Sequence, residues 1–433
     1  MRGISLFPTN THVDQRNRLV IGGCDTVALA GEFGTPLYVF DEATLRGRCA
    51  EYRDEFARRY ADSLVVYACK AFVNRALAQL FREEGLGLDV ASGGELAVGR
   101  SVGFPMERVY FNGNNKSREE LEMAVRWGVG RVVVDNSHEL SMLQEVAARA
   151  RKVQDVLLRV SPGVDPHTHA YVATGVVDSK FGFPLAQAEE AVVRAMDSSA
   201  LRLLGMHFHI GSQLFDLEPY RKAIGIVLDL AADMKARHGF ALTELSTGGG
   251  LGISYSADTA PPTVADFAET MVSSLLSEAK ARGIEPPRLV VEPGRSVVGQ
   301  AGVALYSVGA IKEIPGVRTY VCVDGGMADN IRPALYGAEY DAVVASRVEG
   351  EEERVTIAGK FCESGDILIR DIELGRVEPG DVIAVPCCGA YCLSMASNYN
   401  AALSPAIVMV KEGKARLIRR RQSYDDLTRR DIL

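Results

Sequence analysis

The sequence predicts an α/β protein in which a TIM-type (β/α)8 barrel is followed by a mostly antiparallel β domain. Two observations support this prediction. Between residues 60 and 295, short apolar runs of β type alternate with longer segments whose apolar residues recur at helical spacing. After about residue 300, the apolar runs are separated by glycine, proline and acidic turns, without long helical segments between them.

Each predicted barrel strand is a short run of mostly apolar residues. The eight strands are expected at residues 64–69, 87–90, 108–112, 131–135, 156–160, 203–210, 242–246 and 288–292. Eight strand and helix units fit a closed barrel better than a doubly wound sheet, which usually has fewer strands. Strands of the β domain are expected at residues 303–308, 318–323, 354–357, 381–385 and 406–410.

The chain of 433 residues is long enough for two domains. We expect residues 1–35 to join the β domain, residues 36–300 to form the barrel and residues 301–433 to form the β domain. The formal net charge of −8 disfavours a nucleic-acid-binding protein. No apolar run reaches the roughly 20 residues that span a bilayer, and the N-terminus lacks a signal-peptide core. We therefore expect a cytoplasmic protein.

Metal binding is not expected. The eight cysteines have no regular framework and read as reduced thiols, and the neighbouring Cys387, Cys388 and Cys392 lack CxxC spacing and a nearby histidine. His167 and His169 have spacing that suits a metal, but no third ligand is evident. We predict instead that their long segment, residues 162–182, covers the site as a lid.

Lys70 ends the apolar run of residues 64–69, and its sequence neighbours offer no counter-charge. A buried ammonium without a partner is costly, so the lysine needs a partner from elsewhere or is not a free amine. Barrels place their chemistry at the carboxyl ends of strands, where a desolvated lysine can form a Schiff base with a carbonyl cofactor. The alternative is a lysine whose amine simply reaches solvent.

Polar residues stand at nearly every other predicted strand end. They are Asp89, Asn112, Asp135, Arg159, His209, the glycines Gly248, Gly249 and Gly250, and Glu292. The glycine run lets backbone N–H groups approach a phosphate, although a tight turn also explains it. Glu292 could keep a pyridine nitrogen protonated, and Arg295 suits a phosphate or a carboxylate. His209 could stack on a flat ring, whereas His207 is interpreted as a core histidine.

A Schiff-base lysine, a stacking histidine, phosphate-binding glycines and a pyridinium partner fit a pyridoxal 5'-phosphate site. The chain also closely resembles the diaminopimelate decarboxylase family, in the alanine-racemase-like, fold type III class of pyridoxal phosphate enzymes. The resemblance runs almost end to end. It is carried by residues 67–72, 88–96, 209–213, 248–252, 292–295, 324–327, Arg332 with Tyr336, and residues 362–366, 389–391 and 397–400.

The resemblance implies a role for each matching residue. Lys70 would carry the cofactor, His209 would stack on it and Glu292 would face the ring nitrogen. The remaining cofactor-binding residues would be Asp89, Ser212, Gly248, Gly249, Gly250, Pro293, Gly294, Arg295 and Tyr391. Cys362 would be the acid that reprotonates the carbanion. The substrate would be bound by Arg295, Arg332, Tyr336, Glu363 and Tyr391.

The resemblance further implies decarboxylation of meso-2,6-diaminopimelate to L-lysine and CO2, the last step of lysine biosynthesis. Arg332, Tyr336 and Arg295 provide cationic and hydroxyl partners for the distal carboxylate, which simple diamine decarboxylases need not accommodate. An ordinary thiol is mostly protonated at neutral pH, so Cys362 can donate a proton. The Cys362 segment would complete the site of the partner subunit in a homodimer.

Three alternatives remain open. A related decarboxylase would act on ornithine, lysine, arginine, carboxynorspermidine or a carrier-bound amino acid. A non-catalytic regulator of the same fold would usually lack the lysine or the cysteine, whereas this chain keeps both Lys70 and Cys362. A racemase is disfavoured by the residues that follow Cys362. The chain also departs from common family versions at Phe72 and Phe361, and neither change removes a catalytic group.

Overall fold

The computed structural model describes residues 3–165 and 179–433, which form two compact units. The barrel unit comprises residues 49–252 and 261–294. The β unit comprises the chain up to Arg48, residues 253–260 and residues 295–433. Each unit is therefore assembled from separate stretches of the chain, and the β unit needs both ends of it.

The N-terminal part of the chain begins with a small three-stranded sheet. The strands of this sheet are β1 (His12–Val13), β2 (Leu19–Ile21) and β3 (Cys24–Asp25). They are followed by α1 (Thr26–Phe33), β4 (Leu37–Asp41) and α2 (Glu42–Arg59). The side chain of Asp25 accepts hydrogen bonds from the N–H groups of Val27 and Ala28 and so caps α1. All five residues of β4 are buried, as expected for a strand in the middle of a sheet.

The barrel consists of parallel strands that alternate with helices. Its strands are β5 (Ser63–Ala68), β6 (Gly87–Val90), β7 (Val109–Phe111), β8 (Arg131–Val134), β9 (Gln154–Ser161), β10 (Phe183–Pro184), β11 (Leu201–His207), β12 (Glu244–Ser246) and β13 (Arg288–Val291). Its helices are α3 (Arg75–Glu83), α4 (Gly93–Ser101), α5 (Arg118–Trp127), α6 (Ser137–Arg149), α7 (Leu185–Met196), α8 (Glu218–His238) and α9 (Val264–Ala281).

Eight of these strands close into a ring in the order β9, β11, β12, β13, β5, β6, β7 and β8, with β8 pairing back to β9. The two-residue strand β10 adds a short parallel pairing beside β9. All eight predicted strands are present, and the predicted fold class is confirmed. The largest difference at a strand end is in β11, which stops at His207 and leaves His209 in the following turn.

Five helices of the barrel begin at a polar residue whose side chain accepts a hydrogen bond from the backbone three residues later. These N-caps are Asn74, Ser92, Ser117, Asn136 and Thr263. Such caps satisfy amide groups that the first helical turn leaves without partners. They fix the residue at which each of these helices begins.

Apolar side chains fill the middle of the barrel, and a pair of charged side chains lies at its amino-terminal end. Val66, Tyr110, Val133, Leu157 and Val290 form a buried cluster contributed by five strands. Arg131 starts β8 and Glu244 starts β12, and the guanidinium of Arg131 lies 3.0 Å from one carboxylate oxygen of Glu244. The other oxygen of Glu244 accepts a hydrogen bond from the Tyr110 hydroxyl. This partly buried pair occupies the amino-terminal end, so the carboxyl ends remain for a site.

The β unit continues after the last barrel strand. Its elements are α10 (Arg295–Val298), β14 (Gly302–Ile314), β15 (Arg318–Val323), α11 (Arg332–Tyr336), β16 (Val343–Val344), β17 (Glu352–Ala358), β18 (Ile367–Gly375), β19 (Val382–Val385), β20 (Ala406–Lys411), β21 (Lys414–Arg419) and α12 (Tyr424–Thr428). The main sheet has the order β18, β17, β15, β14, β4, β20 and β21, and most of its pairings are antiparallel.

The boundary expected at residue 36 differs from the structure. Strand β4 pairs with β14 and β20 and therefore belongs to the β unit, which extends to Arg48. The reason is that β4 is apolar on both faces, which suits the centre of this sheet as well as a barrel. The segment of residues 253–260 also belongs to the β unit, although it lies within the range expected for the barrel.

No helix among the described residues combines the length and the apolar character that crossing a membrane requires.

Gly205 in β11 provides a test of strand packing in the barrel. A Cβ atom at this position would lie 1.6 Å from the carbonyl oxygen of Glu244 in β12, so a side chain would force the two strands apart. We expect Gly205→Ala to reduce the free energy of unfolding by about 3 kcal/mol, measured by thermal or urea unfolding.

The matched control is Gly225→Ala in α8, where the nearest atom to a new Cβ is a side-chain oxygen 3.5 Å away. Its unfolding free energy should be unchanged or slightly higher, because alanine favours helix. Equal unfolding of Gly205→Ala and the wild type would contradict the packing described.

Candidate active site

The barrel unit brings the predicted strand-end residues to one rim. Asp89 lies at the end of β6, while Asn112, Asp135 and Glu292 directly follow β7, β8 and β13. Arg159 is near the end of β9. All five are buried, and parallel strands in a closed ring present their carboxyl ends on the same face. The rim is therefore densely polar.

Lys70 lies in a short 3-10 turn, Cys69–Ala71, that directly follows β5. The residue is exposed, and its amine forms no hydrogen bond or ion pair with the described part of the chain. This differs from the desolvated amine that the apolar run suggested. The reason is that β5 ends at Ala68, so the turn carries Lys70 beyond the buried strand. The amine is accessible to a reagent or cofactor.

Glu292 is held by residues that end the two preceding strands of the ring, β11 and β12. Its carboxylate accepts a hydrogen bond of 2.7 Å from the Ser246 hydroxyl at the end of β12, and its second oxygen lies 3.1 Å from Nε2 of His207 at the end of β11. These contacts form because β11, β12 and β13 are consecutive in the barrel. All three side chains are buried, with exposures of 5% or less.

The two hydrogen bonds decide the charge of Glu292. Burial favours the neutral acid, but His207, Ser246 and the nearby Lys70 outweigh it, so the pKa of Glu292 is lowered. Burial lowers the pKa of His207, which is therefore a neutral imidazole that donates from Nε2 to the carboxylate. Its Nδ1 atom is buried and has no hydrogen-bond partner among the described residues. Glu292 is ionised at neutral pH.

Asp89 behaves in the opposite way. It accepts a hydrogen bond of 2.6 Å from the side-chain amide of Asn112, yet burial and the charge of Glu292 raise its pKa to about 7. Two buried carboxylates near each other cannot both ionise easily. The rim thus pairs one ionised carboxylate with another that takes up a proton near neutral pH.

Arg159 and Asp135 form a second pair on the rim. Their charged groups are 3.8 Å apart, and the guanidinium lies 4.3 Å from the centre of the Phe181 ring. Asp135 also accepts a hydrogen bond of 3.0 Å from the N–H of Gly182. These contacts connect β8 and β9 to the chain just after the segment that the structure leaves undescribed.

His209 and the glycine run lie against each other. Nδ1 of His209 accepts a hydrogen bond of 3.3 Å from the N–H of Gly249, which orients the ring and places the proton of the neutral imidazole on Nε2. Burial, followed by the charge of Lys70, lowers the pKa of His209 well below its usual range. The ring is therefore neutral and partly exposed.

The glycines are required by protein packing. A Cβ at Gly249 would lie 2.0 Å from the carbonyl oxygen of Glu292, and one at Gly250 would lie 2.4 Å from that of Gly211. Gly248 has a φ of 67°, which side chains rarely adopt. The turn thus brings its backbone amides close to His209 and Glu292. Ser212 lies partly buried in the turn that follows His209.

The β unit holds a second group of predicted residues. Arg295 and Arg332 are both buried, and Arg295 lies 4.7 Å from the centre of the Tyr391 ring. Tyr336, at the end of α11, points its hydroxyl at the sulfur of Met395 at 3.9 Å. Tyr391 has a φ of 60°, an uncommon conformation for a residue with a side chain. The unit therefore concentrates cationic and phenolic groups.

Cys362 and Glu363 are exposed on the loop between β17 and β18 of the β unit. The loop is held by its backbone, since the N–H of Cys362 donates to Asn400 at 3.0 Å and that of Phe361 to Asp366 at 2.8 Å. The Phe361 and Tyr399 rings pack edge to face at 6.1 Å. Within the described ranges, no hydrogen bond or ion pair joins Cys362 or Glu363 to Arg295 or Arg332.

The predicted lid falls mostly outside the described residues. His167, His169, Tyr171 and Asp178 all lie between residues 165 and 179, whereas Lys180 is described and lies 5.0 Å from the Phe181 ring. In residues 3–165 and 179–433, no cluster of three or more histidine, cysteine or acidic residues is arranged to hold a metal ion. The eight cysteines are all free thiols.

Two contacts of the rim were missed in the sequence. His207 was interpreted as a core histidine, but it hydrogen-bonds Glu292, and Ser246 was not selected at all. Ser246 ends β12, the strand next to β13, and His207 ends β11, one strand further along the ring. The signal in the sequence was position, because Ser246 closes the predicted strand of residues 242–246 and His207 lies near the end of the predicted strand of residues 203–210.

The donor set of the rim fits pyridoxal phosphate. Each oxygen of the ionised Glu292 carboxylate accepts one hydrogen bond and so keeps capacity for a pyridinium N–H. The exposed amine of Lys70 suits a bond to an aldehyde, and the neutral ring of His209 offers a flat apolar face. The fold and the site thus define a barrel protein of the pyridoxal phosphate class.

Comparison with known proteins agrees. Residues 42–299 match the family described as "Pyridoxal-dependent decarboxylase, pyridoxal binding domain". The diaminopimelate decarboxylase of Bacillus subtilis (strain 168) is 46% identical over 97% of this chain and 96% of its own length. That of Mycobacterium tuberculosis (strain ATCC 25618 / H37Rv) is 43% identical over 98% and 97%.

Among solved structures, the diaminopimelate decarboxylase of M. jannaschii in complex with L-lysine has a TM-score of 0.93 and 38% identity, covering 98% of both chains. This chain belongs to the diaminopimelate decarboxylase family of pyridoxal-dependent decarboxylases. Its membership confirms the resemblance found in the sequence and the expected cofactor, pyridoxal 5'-phosphate.

Asp89 makes the stability of the cofactor-free protein depend on pH. Its pKa is about 7 in the folded chain against 3.8 for the ordinary group, so folding favours the protonated acid and stability falls as pH rises through this window. Asp89→Asn removes this penalty. We expect the variant's gain in unfolding free energy over the wild type to grow by about 2 kcal/mol between pH 5 and pH 7.

Urea unfolding at several pH values measures this difference, which should level off above pH 7. Asp197→Asn, at an exposed position after α7, is the matched control and should show no such trend. A pH-independent difference between Asp89→Asn and the wild type would contradict the proton uptake.

Proposed function

We propose that this protein catalyses the decarboxylation of meso-2,6-diaminopimelate to L-lysine and CO2, and that it works as a cytoplasmic homodimer. The observation that carries the proposal is the ionised Glu292, which accepts hydrogen bonds from His207 and Ser246. Glu292 directly follows β13, the strand that pairs with β5, and Lys70 lies in the turn after β5. Relatives that match almost the whole chain are diaminopimelate decarboxylases, which supports this choice of substrate.

When bound, pyridoxal phosphate supplies an electron sink for the pair of electrons that the departing CO2 leaves on the α-carbon. Lys70 would hold the cofactor covalently and be exchanged for the substrate amine. Glu292 would keep the ring nitrogen protonated, because its ionised form stabilises a pyridinium. His209 would stack on the ring, while Asp89, Pro293 and Gly294 would line it.

The phosphate of the cofactor would be held by backbone and hydroxyl donors. Gly248, Gly249 and Gly250 have no side chains that would keep a phosphate from this turn. Ser212 and Tyr391 would add hydroxyl donors. These roles follow from the family resemblance, and the turn geometry supports them because Gly249 contacts both His209 and the backbone carbonyl of Glu292.

Cys362 would return a proton to the α-carbon after CO2 leaves. Its loop is exposed and held by its backbone, which leaves the thiol free to enter a site built by another copy of the chain. We propose that this site is the barrel of the partner subunit. Glu363, beside it, would lie near the substrate's distal amino group.

The second carboxylate of the substrate would distinguish diaminopimelate from simple basic amino acids. Arg295, Arg332 and Tyr336 are the candidates for binding it, with Tyr391 close to Arg295. Guanidinium groups bind carboxylates strongly because both are planar and can share two hydrogen bonds. Substrates that end in an ammonium alone would gain nothing from these groups.

The substrate assignment is tested by measuring CO2 release from meso-diaminopimelate, ornithine, lysine and arginine in parallel, with added pyridoxal phosphate. We expect kcat/KM for diaminopimelate to exceed that for the other three by about 100-fold or more, because buried arginines reject substrates that leave them unpaired. Lys70→Ala is the control and should release no CO2. Preference for any of the other three amino acids would overturn the assignment.

The shared site is tested by mixing two inactive variants, Lys70→Ala and Cys362→Ala. If each site takes Lys70 from one subunit and Cys362 from the other, each mixed dimer regains one complete site. Random exchange at equal concentrations should then restore about a quarter of wild-type activity, since half of the dimers are mixed. Absence of recovery, with subunit exchange demonstrated by differently tagged copies, would argue against shared sites.

A further inference from the structure

Five side chains of the β unit form a stack in which aromatic rings alternate with guanidinium groups. We call it the Tyr-Arg stack, and its members in order are Tyr391, Arg295, Tyr255, Arg332 and Tyr340. The distances from guanidinium carbon to ring centre are 4.7 and 5.8 Å for Arg295 and 4.5 and 5.4 Å for Arg332. All four lie within the range of favourable cation–π contacts.

Tyr255 is the central member and contacts both arginines. Its hydroxyl accepts a hydrogen bond of 2.6 Å from Nη1 of Arg295, and its ring lies against Arg332. It also packs edge to face on Tyr340, with ring centres 5.3 Å apart. One residue therefore sets the positions of two cations that would otherwise repel each other.

Tyr255 comes from an unexpected part of the chain. It lies in the segment of residues 253–260, which leaves the barrel unit directly after the glycine turn and joins the β unit. The chain returns to the barrel unit at Pro261, shortly before α9. The segment contributes neither a helix nor a strand, so its contribution to the β unit consists of side-chain and loop contacts such as those of Tyr255.

Arg332 is oriented without a carboxylate. It is 6% exposed and forms no ion pair among the described residues, but its Nη1 donates to the Tyr340 hydroxyl. The Tyr340 hydroxyl lies 3.4 Å from the sulfur of Cys392, to which it can donate its own proton. Burying a guanidinium without an acidic partner is costly and points to an anionic ligand.

The phenols do not cancel the positive charge of the stack. Burial raises the pKa of Tyr255, even beside two arginines, and burial likewise raises that of Tyr340 well above its usual range. Both hydroxyls are neutral at physiological pH. The rings stabilise the guanidinium groups through their faces, and the neutral phenols do not offset the charge.

We propose that Tyr255 is a positioning residue that determines specificity for the substrate's second carboxylate, by aligning Arg295 and Arg332 as one receptor. The proposal rests on the proposed function and deepens it, since it explains how one site selects amino acids with two carboxylates. Tyr255 acts through the arginines. Its loss should therefore weaken binding of the carboxylate and leave the chemistry at the α-carbon in place.

The test compares two ligands that differ only in this carboxylate. L-lysine, the expected product, retains it, and 1,5-diaminopentane lacks it. Their affinities for the cofactor-loaded protein are measured by calorimetry, which does not require turnover. In the wild type we expect tighter binding of lysine. In Tyr255→Leu this preference should fall about tenfold or more, because both the ring and the hydroxyl are lost.

Two conservative variants refine the test. Tyr255→Phe keeps the ring beneath Arg332 and should lose only part of the preference, and Tyr340→Phe removes the acceptor of Arg332 and should also weaken lysine binding. Tyr424→Phe, 76% exposed on α12, is the matched control and should behave as the wild type. For diaminopimelate, Tyr255→Leu should raise KM about tenfold with kcat within about twofold.

An unchanged preference for lysine in both Tyr255→Leu and Tyr255→Phe would overturn the proposal. So would equal weakening of both ligands, because this would indicate a general structural role for Tyr255. The proposed function fails in a different way, namely if the wild type releases no CO2 from diaminopimelate. The two failures are therefore observed in separate measurements.

Discussion

The closed ring of parallel strands is the constraint on which the barrel site depends. Because β8 pairs with β9, every strand of the ring has two neighbours and all carboxyl ends lie on one rim. Which side chains contact each other on the rim then depends on which strands are neighbours in the ring. Glu292 receives hydrogen bonds from His207 and Ser246 only because β11, β12 and β13 follow one another around the ring.

Electrostatics then assigns different states to similar groups. Two buried carboxylates, Glu292 and Asp89, lie in the same rim, but only Glu292 has two hydrogen-bond donors from side chains that favour its ionised form. Asp89 has one such donor and feels the charge of Glu292, so it takes up a proton near neutral pH. The chain thus produces an anion and an acid from the same functional group.

The sequence predicted the barrel because its strands are apolar runs bounded by polar residues, and the first charged or amide side chain after each run marked the rim. Lys70, Asn112, Asp135 and Glu292 were found in this way. Contacts between strands were harder to predict. His207 and Ser246 look like ordinary strand residues until the order of the ring brings them to Glu292.

The domain to which strand β4 belongs could not be predicted from the sequence, since an apolar run fits a barrel and a central sheet strand equally. Tyr255 lay in a loop with no periodic pattern, and its contacts depend entirely on tertiary structure.

The sheet of the β unit can be completed only late in the synthesis of the chain, because its strands come from both ends of the sequence. Strand β4 lies between β14 and β20, so its partners are made only when the last part of the chain leaves the ribosome. The barrel unit is complete by Gly294 and can fold earlier, while the apolar residues Leu37, Val39 and Phe40 wait without their sheet. During that interval the growing chain exposes β4, an apolar strand near its N-terminus, without its pairing partners. An unpaired apolar strand favours aggregation, so β4 is protected only once the C-terminal third of the chain has been translated and has paired with it.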